Sequence, residues 1–159
     1  MSRHAGAHDN RPLEARDDVV TYTTPPLESE LVIIGSAQVV LMIHSSLPDT
    51  DFFVRLCDVR LDGSSLNVCD GFVRLSPGSG HPQPDGSLRI LVDLWPTAYR
   101  WRRGCCLRLQ ISSGAHPRWT RTTGSGEPLA KATRLFPAEQ TIYHDLEHPS
   151  VLILPVASK

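Results

Sequence analysis

Apolar and polar residues alternate with a period of two through much of this chain, and this pattern limits its fold more than any other feature. In the clearest case, residues 105–111, cysteine, leucine and isoleucine alternate with Cys106, Arg108 and Gln110. The spacing predicts a strand with one face packed inward and the other, which carries Gln110, in contact with water. No segment sustains a helical period for more than two turns. The chain is therefore predicted to be all-β.

The alternation predicts about eight antiparallel strands, separated by residues that favour turns. Asp62-Gly63 and Pro84-Asp85-Gly86 are examples, because glycine accepts positive φ and proline presets a turn-compatible φ. The predicted strands are Leu31–Ile34, Val39–His44, Phe52–Arg60, Phe72–Leu75, Leu88–Trp95, Cys105–Ile111, Gln140–His144 and Val151–Leu154. Short strands divided this regularly indicate a β-sandwich or a jelly roll.

The length of 159 residues suits one domain with a sizeable core. Residues 18–156 are predicted to form the β-sandwich domain. Residues 1–17 have low hydrophobicity and are predicted to be a polar tail or a remnant interdomain connection, and residues 157–159 a C-terminal tail. Residues 113–136 form a long polar loop, and loops of this length are commonly functional or interface elements.

The charge balance predicts no nucleic-acid partner, because a net charge of −1 creates no large positive field. Six arginines between positions 100 and 121 are interpreted as solvated residues at the rim of the sheets. The longest aliphatic run, residues 39–43, is too short to span a bilayer, and residues 1–16 do not resemble a secretory signal. We therefore expect no membrane partner and a cytoplasmic location.

The candidate metal and phosphate motifs are weak, so the sequence predicts neither a metal site nor a cofactor. The four cysteines show no CxxC spacing, and they are expected to be reduced, small core residues. Residues 144–148, HDLEH, match the letters of a zinc motif that requires a helix, but Pro149 disfavours helical geometry at His148. Gly124-Ser125-Gly126 lacks the lysine of a phosphate-binding loop.

No serine in the chain has the context of a hydrolase nucleophile, so no catalytic residue is predicted. An α/β-hydrolase places its serine in a Gly-x-Ser-x-Gly turn between a strand and a helix. The nearest segment, residues 63–67, falls in a predicted hairpin turn and lacks the second glycine. Whether the chain is an enzyme stays open at this stage, and inactivity in isolation is the expectation.

Several segments, in order along the chain, resemble one protein family. They include DTDFFVRLCDV at residues 49–59, NVCDGFVR at 67–74, DLWPTA at 93–98 and YHDLEHPS at 143–150. This set resembles the non-catalytic C-terminal domain of the Xaa-Pro dipeptidyl-peptidase and cocaine esterase (CocE/NonD) group of serine hydrolases. The resemblance covers residues 13–156, nearly the whole chain, and implies a galactose-binding-like jelly roll.

The resemblance also implies a function and a partner. The family's sandwich packs against an α/β-hydrolase catalytic domain and helps to shape the substrate pocket of a dipeptidyl-peptidase or acyl esterase. It supplies no member of the catalytic triad. By this resemblance the candidate interface or pocket-lining residues are Asp51, Phe52, Phe53 and Trp119, although period two puts the two phenylalanines on opposite faces. The partner is predicted to be such a catalytic domain, acting in trans or lost by truncation, and a homodimer is a further possibility.

A second function stays open from the residues alone. Jelly rolls also act as free-standing modules that bind carbohydrates or peptides. Under this alternative Trp95, Trp101 and Trp119 would stack on a sugar ring, whereas ordinary half-buried sheet positions would explain the same tryptophans.

Overall fold

The computed structural model describes residues 6–157. Within them a single helical turn, α1 (Arg11–Glu14), precedes eleven strands. No helix among the described residues is long and apolar enough to cross a membrane. The strands are β1 (Val19–Thr23), β2 (Leu31–Gly35), β3 (Gln38–Ser45), β4 (Thr50–Val59), β5 (Ser65–Leu75), β6 (His81–Pro82), β7 (Leu88–Asp93), β8 (Thr97–Trp101), β9 (Cys106–Ser112), β10 (Gln140–Tyr143) and β11 (Val151–Ile153).

Two antiparallel sheets and a two-stranded ribbon form the sandwich. The four-stranded sheet has the order β1-β9-β4-β5, and the five-stranded sheet has the order β10-β3-β7-β6 with β11 also paired to β3. β2 and β8 form the ribbon. Phe52, Leu41, Ile90 and Trp101 belong to one core cluster, and each is at most 2% exposed. The predicted all-β, antiparallel sandwich is confirmed.

All eight predicted strands are present, but the sequence pattern missed three others within residues 6–157: β1, β6 and β8. Their residues are mostly exposed or half-buried, so the hydrophobic alternation in these segments is weak. β5 begins at Ser65, seven residues before the predicted strand. Polar residues such as Asn67 and Asp70 occupy its first half, so the hydrophobic pattern did not reveal this part of the strand.

Residues 8–14 of the N-terminal segment are not a trailing tail, which corrects one of the two expectations for residues 1–17; the other, a remnant interdomain connection, stays a prediction. Asn10 is 2% exposed, and its backbone N–H donates to the Ser65 carbonyl at 2.7 Å. The Ser65 hydroxyl donates to Glu14 Oε1 at 2.6 Å, and Arg108 donates to Glu14 Oε2 at 2.7 Å. Hydrogen bonds rather than apolar contacts hold this segment, so its low hydrophobicity concealed its packing. The first five residues lie outside the described part of the chain.

Candidate functional site

The outer face of the four-stranded sheet carries the polar and aromatic residues that form the candidate site. Successive side chains of β4 point to opposite faces, so Asp51, Phe53 and Arg55 lie on the outer face while Phe52 packs into the core. Phe53 is only 2% exposed although it lies outside that core cluster. The chain therefore covers this face of its own sheet.

The cover consists of the β9–β10 loop, residues 113–139, and the N-terminal segment, and together with the β3–β4 turn it borders an open pocket of about 580 Å³. Ligand pockets commonly have volumes of about 300–1,000 Å³. The apolar walls include Leu13, Val19, Leu47, Phe53, Pro117 and Phe136. Four arginines and three aspartates also line the pocket, so the opposite charges nearly balance. A pocket of this size with mixed walls suits a small molecule that is partly apolar.

Asp51 fastens the β9–β10 loop to the sheet. Its carboxylate is 1% exposed and accepts two hydrogen bonds from Arg74, from Nε at 2.7 Å and from Nη2 at 2.8 Å. The Thr122 backbone N–H donates to the same carboxylate at 3.1 Å, and Arg74 also donates to the Thr120 carbonyl. The hydrogen bonds with Asp51 raise the pKa of Arg74 above its ordinary value. Asp51 was predicted to lie at an interface, and the structure shows that its carboxylate holds the β9–β10 loop within the chain.

Trp119 covers the outer face as part of an aromatic stack. Its ring lies parallel to the ring of Phe72, with 5.1 Å between centroids and 7° between planes, and 5.6 Å from the Phe53 centroid. The Arg118 guanidinium sits 4.3 Å from the Trp119 ring and 4.7 Å from the Trp95 ring. Arginine over tryptophan is a favourable cation–π pair. The stack fixes Trp119 over the sheet.

Asp70 connects the loop, the sheet and the N-terminal segment. Arg118 Nη1 donates to both carboxylate oxygens of Asp70, at 2.6 and 2.7 Å, and Arg55 Nη2 donates to it at 3.3 Å. Arg55 Nη1 also donates to Asn10 Oδ1 at 2.7 Å. The Asp70 side chain is 10% exposed, so these arginines compensate a largely buried negative charge.

Two polar atoms beside the pocket lack hydrogen-bond partners within residues 6–157. They are Arg55 Nε and Gln110 Oε1, and both are buried. The prediction that Gln110 meets water is wrong: this residue is 2% exposed, because the loop and the N-terminal segment cover its strand. Strand periodicity gave the correct face for Gln110 but could not reveal that cover.

Comparison with known proteins shows which family has this sequence and fold. Residues 2–153 match the X-Pro dipeptidyl-peptidase C-terminal non-catalytic domain. The chain belongs to this family. The cocaine esterase of Rhodococcus sp. (strain MB1 Bresler) is 30% identical over an alignment of 161 residues, gaps included. The alignment covers 97% of this chain and 28% of the esterase.

Solved structures show the same fold for this C-terminal domain. An alpha-amino acid ester hydrolase matches with a TM-score of 0.82 and 28% identity, over 95% of this chain and 27% of the hydrolase. An aminopeptidase from a marine sediment archaeon, Thaumarchaeota archaeon, matches with a TM-score of 0.82 and 22% identity, over 94% of this chain and 27% of the aminopeptidase. The chain thus spans between a quarter and a third of the length of these relatives.

The structure brings together three of the four candidate residues of this C-terminal domain. Asp51, Phe53 and Trp119 share the outer face of the sheet, whereas Phe52 faces the core and cannot reach a partner. Trp101 is also fully buried, which rules out its predicted stacking on a sugar. Trp95 and Trp119 already contact Arg118 through their rings. Of the three tryptophans in the carbohydrate-binding alternative, Trp101 is therefore inaccessible, whereas Trp95 is 61% exposed.

Metal binding finds no support among the described residues, where no group of three His, Cys, Asp or Glu side chains could hold an ion. His148, from the candidate zinc motif, instead lies between two carboxylates. Its Nδ1 is 3.0 Å from Asp145 Oδ1, and its Nε2 is 2.7 Å from Asp85 Oδ2. These contacts join the β10–β11 connection to the turn before β7.

Proposed function

We propose that this C-terminal domain packs against an α/β-hydrolase catalytic domain and forms part of the wall of its substrate pocket. The observation that carries the proposal is the β9–β10 loop. A backbone hydrogen bond from Thr122 to Asp51 and an ion pair from Arg118 to Asp70 hold its inner side, while its outer side presents large apolar residues to solvent. A loop that is fixed in place and exposes apolar surface is typical of an interface.

The exposed apolar residues of the loop are Leu135 at 70%, Phe136 at 48% and Leu129 at 40%. Interfaces between domains of one protein bury roughly 600–1,500 Å² and resemble transient protein interfaces. The shares of the relatives that this chain covers, 28% and 27%, leave ample length for a catalytic domain in those proteins. Both facts support the same partner.

The proposed substrates are Xaa-Pro peptides or acyl esters. The family description names X-Pro dipeptidyl-peptidases, and the relatives include a cocaine esterase and an alpha-amino acid ester hydrolase. In the proposed arrangement Trp119 and the exposed loop residues face the catalytic domain. Asp51 and Phe53 act from behind by holding the loop in position.

The first experiment uses the purified chain alone. We expect no hydrolysis of alanyl-prolyl p-nitroanilide or of p-nitrophenyl acetate. Size-exclusion chromatography with light scattering on the same sample tests the predicted homodimer. Turnover that survives replacement of each serine by alanine in turn would contradict an accessory role.

The second experiment places the domain in an enzyme. In a chimera, this chain replaces the matching C-terminal part of the Rhodococcus cocaine esterase, and kcat/KM is measured for both substrates. We expect hydrolysis in the chimera, and about tenfold lower kcat/KM when Leu129 and Leu135, two exposed loop leucines outside the pocket lining, are both changed to serine. Leu146→Ser, at a fully exposed site outside the loop, is the matched control. Equal kcat/KM for the control and the loop variant would refute the proposed interface.

A further inference from the structure

We propose that the two sheets of the sandwich hold between them a binding cleft for a small, uncharged, apolar molecule. The cleft has a volume of about 260 Å³ and lies between β1 and β9 on one side and β3 and β11 on the other. Among the described residues it shares no lining residue with the pocket under the β9–β10 loop. The inference therefore does not depend on the proposed packing of that loop against a catalytic domain.

The floor of the cleft is formed by the inner faces of both sheets. Val39 and Leu41 of β3 and Leu107 and Ile111 of β9 line it. Each belongs to the core cluster and is at most 5% exposed. The cleft is thus an extension of the hydrophobic core.

Three half-buried side chains show that the core is open at this edge. Tyr22, Leu109 and Leu152 line the cleft and pack against the core cluster, yet each stays partly exposed. Tyr22 is directly opposite Leu109, and Leu152 is directly opposite Val39, so these side chains project from the inner faces of their sheets. Protein cores are normally packed without voids of this size. A molecule from solvent can therefore reach apolar side chains that face inward.

An aromatic contact borders the cleft. Tyr22 of the four-stranded sheet and His144, the residue after β10, both line it, with 5.4 Å between ring centroids and 69° between ring planes. Edge-to-face packing of this kind is favourable, and the two rings offer a ligand further apolar surface. Burial also raises the pKa of Tyr22, which keeps its hydroxyl uncharged.

The polar groups of the lining favour an apolar ligand. The side-chain hydroxyls of the two threonines and the serine already accept hydrogen bonds within the chain, at 2.7–3.1 Å, from Arg108 to Thr23, from Leu107 to Thr24 and from Met42 to Ser150. No Asp, Glu, Lys or Arg is among the described residues that line the cleft. A charged or strongly polar ligand would lose its hydration here without compensation.

The volume sets the size of the ligand. An apolar cavity of about 150 Å³ stays dry and binds benzene, whereas pockets for larger ligands have about 300–1,000 Å³. The cleft lies between these limits, so it suits a benzene ring with a short substituent.

The test is a methyl-detected NMR titration of the full chain with benzene and with pyrazine. Pyrazine has the shape of benzene but carries a nitrogen acceptor at each end of the ring, so at least one nitrogen must leave water on binding. We expect benzene to bind with a dissociation constant on the order of 1 mM and to shift the methyl signals of Leu109 and Leu152. Pyrazine should bind about tenfold more weakly. No binding of benzene at about 10 mM, shifts confined to methyl groups outside the cleft, or equal affinity for both probes would overturn the proposal.

A pair of variants localises the site. Leu152→Phe adds bulk within the cleft and should weaken benzene binding about fivefold or more. Ile153→Phe is the matched control, because Ile153 is the next residue of β11, lies on the opposite face and is 49% exposed. It should leave the affinity for benzene unchanged. Thermal unfolding verifies that each variant folds, and Leu109→Phe replaces Leu152→Phe if the latter does not. Equal affinity for benzene in the Leu152→Phe and Ile153→Phe variants would place benzene elsewhere and overturn the assignment.

Discussion

Changing Gly71 to alanine tests whether steric contact explains the glycine in the NVCDGFVR motif. Gly71 lies in β5, and its backbone φ falls outside the region that favours glycine, so the backbone itself would accept alanine. A Cβ atom at this position would, however, lie 2.3 Å from the Asp93 carbonyl oxygen and 2.9 Å from Leu94 Cδ2. The glycine is therefore needed because the end of β7 and the residue after it lie directly against β5.

The magnitude follows from how firmly this contact is held. An ordinary contact starts at 3.4 Å, so the two segments must separate by about 1 Å. Hydrogen bonds resist that movement on both sides, because Leu94 N–H donates to Ala37 at 2.9 Å and Trp95 N–H donates to Asp70 at 3.0 Å. Overpacking costs about 1–3 kcal/mol and one lost hydrogen bond about 1 kcal/mol, so we expect a loss of about 2–4 kcal/mol.

The assay is urea unfolding followed by tryptophan fluorescence. With an m-value of about 2 kcal/mol/M, Gly71→Ala should lower the midpoint by about 1–2 M at an unchanged m-value. Gly114→Ala is the matched control, because a Cβ there meets nothing within 4 Å. It should be neutral or stabilise by up to about 1 kcal/mol. A midpoint for Gly71→Ala equal to that of the control would refute the steric explanation.

Three other substitutions or treatments probe separate features. Asp51→Asn removes a buried charge that pairs with the partly exposed Arg74, so it should lower the free energy of unfolding by about 1–3 kcal/mol. Urea unfolding measures this change. A change as small as that of the surface control Asp18→Asn would contradict the anchoring role of Asp51. Burial lowers the pKa of His148, but hydrogen bonds to Asp145 and Asp85 outweigh burial and raise it overall. The stability that His148 adds should thus be complete below its unfolded pKa of about 6.5 and decline as the pH rises through the higher folded pKa. The difference in unfolding midpoint between the unmodified chain and His148→Gln should narrow from about pH 6 to pH 8, and a difference that widens would reverse the assignment. Burial raises the pKa of the fully buried Cys57 thiol to about 12, so a thiol reagent at neutral pH should label it only after unfolding; labelling at the rate of a free thiol would contradict its burial.

The sequence predicted the sandwich because its strongest strands obey a local rule. Residues 105–111 and 88–95 alternate at period two, and a one-residue shift would exchange their faces. The same rule failed for β1 and β8, whose residues are mostly exposed or half-buried. It also failed for residues 8–14, because hydrogen bonds to Ser65 and Arg108 hold that segment. Periodicity detects apolar burial but carries no information on polar burial.

In the candidate site too, the sequence predicted some of the residues but not the contacts that bury them. The family resemblance selected Asp51, Phe52, Phe53 and Trp119, and strand alternation added only that the two phenylalanines lie on opposite faces. Neither could show which residues close over the outer face. Asp70 and Arg118 are 48 positions apart, so their pairing follows from the path of the β9–β10 loop and leaves no local trace in the sequence. That loop converts Gln110 from an expected surface residue into a buried one with an unpartnered oxygen. Alternation therefore assigns the face of a strand residue, whereas the path of a distant loop decides whether that face meets solvent.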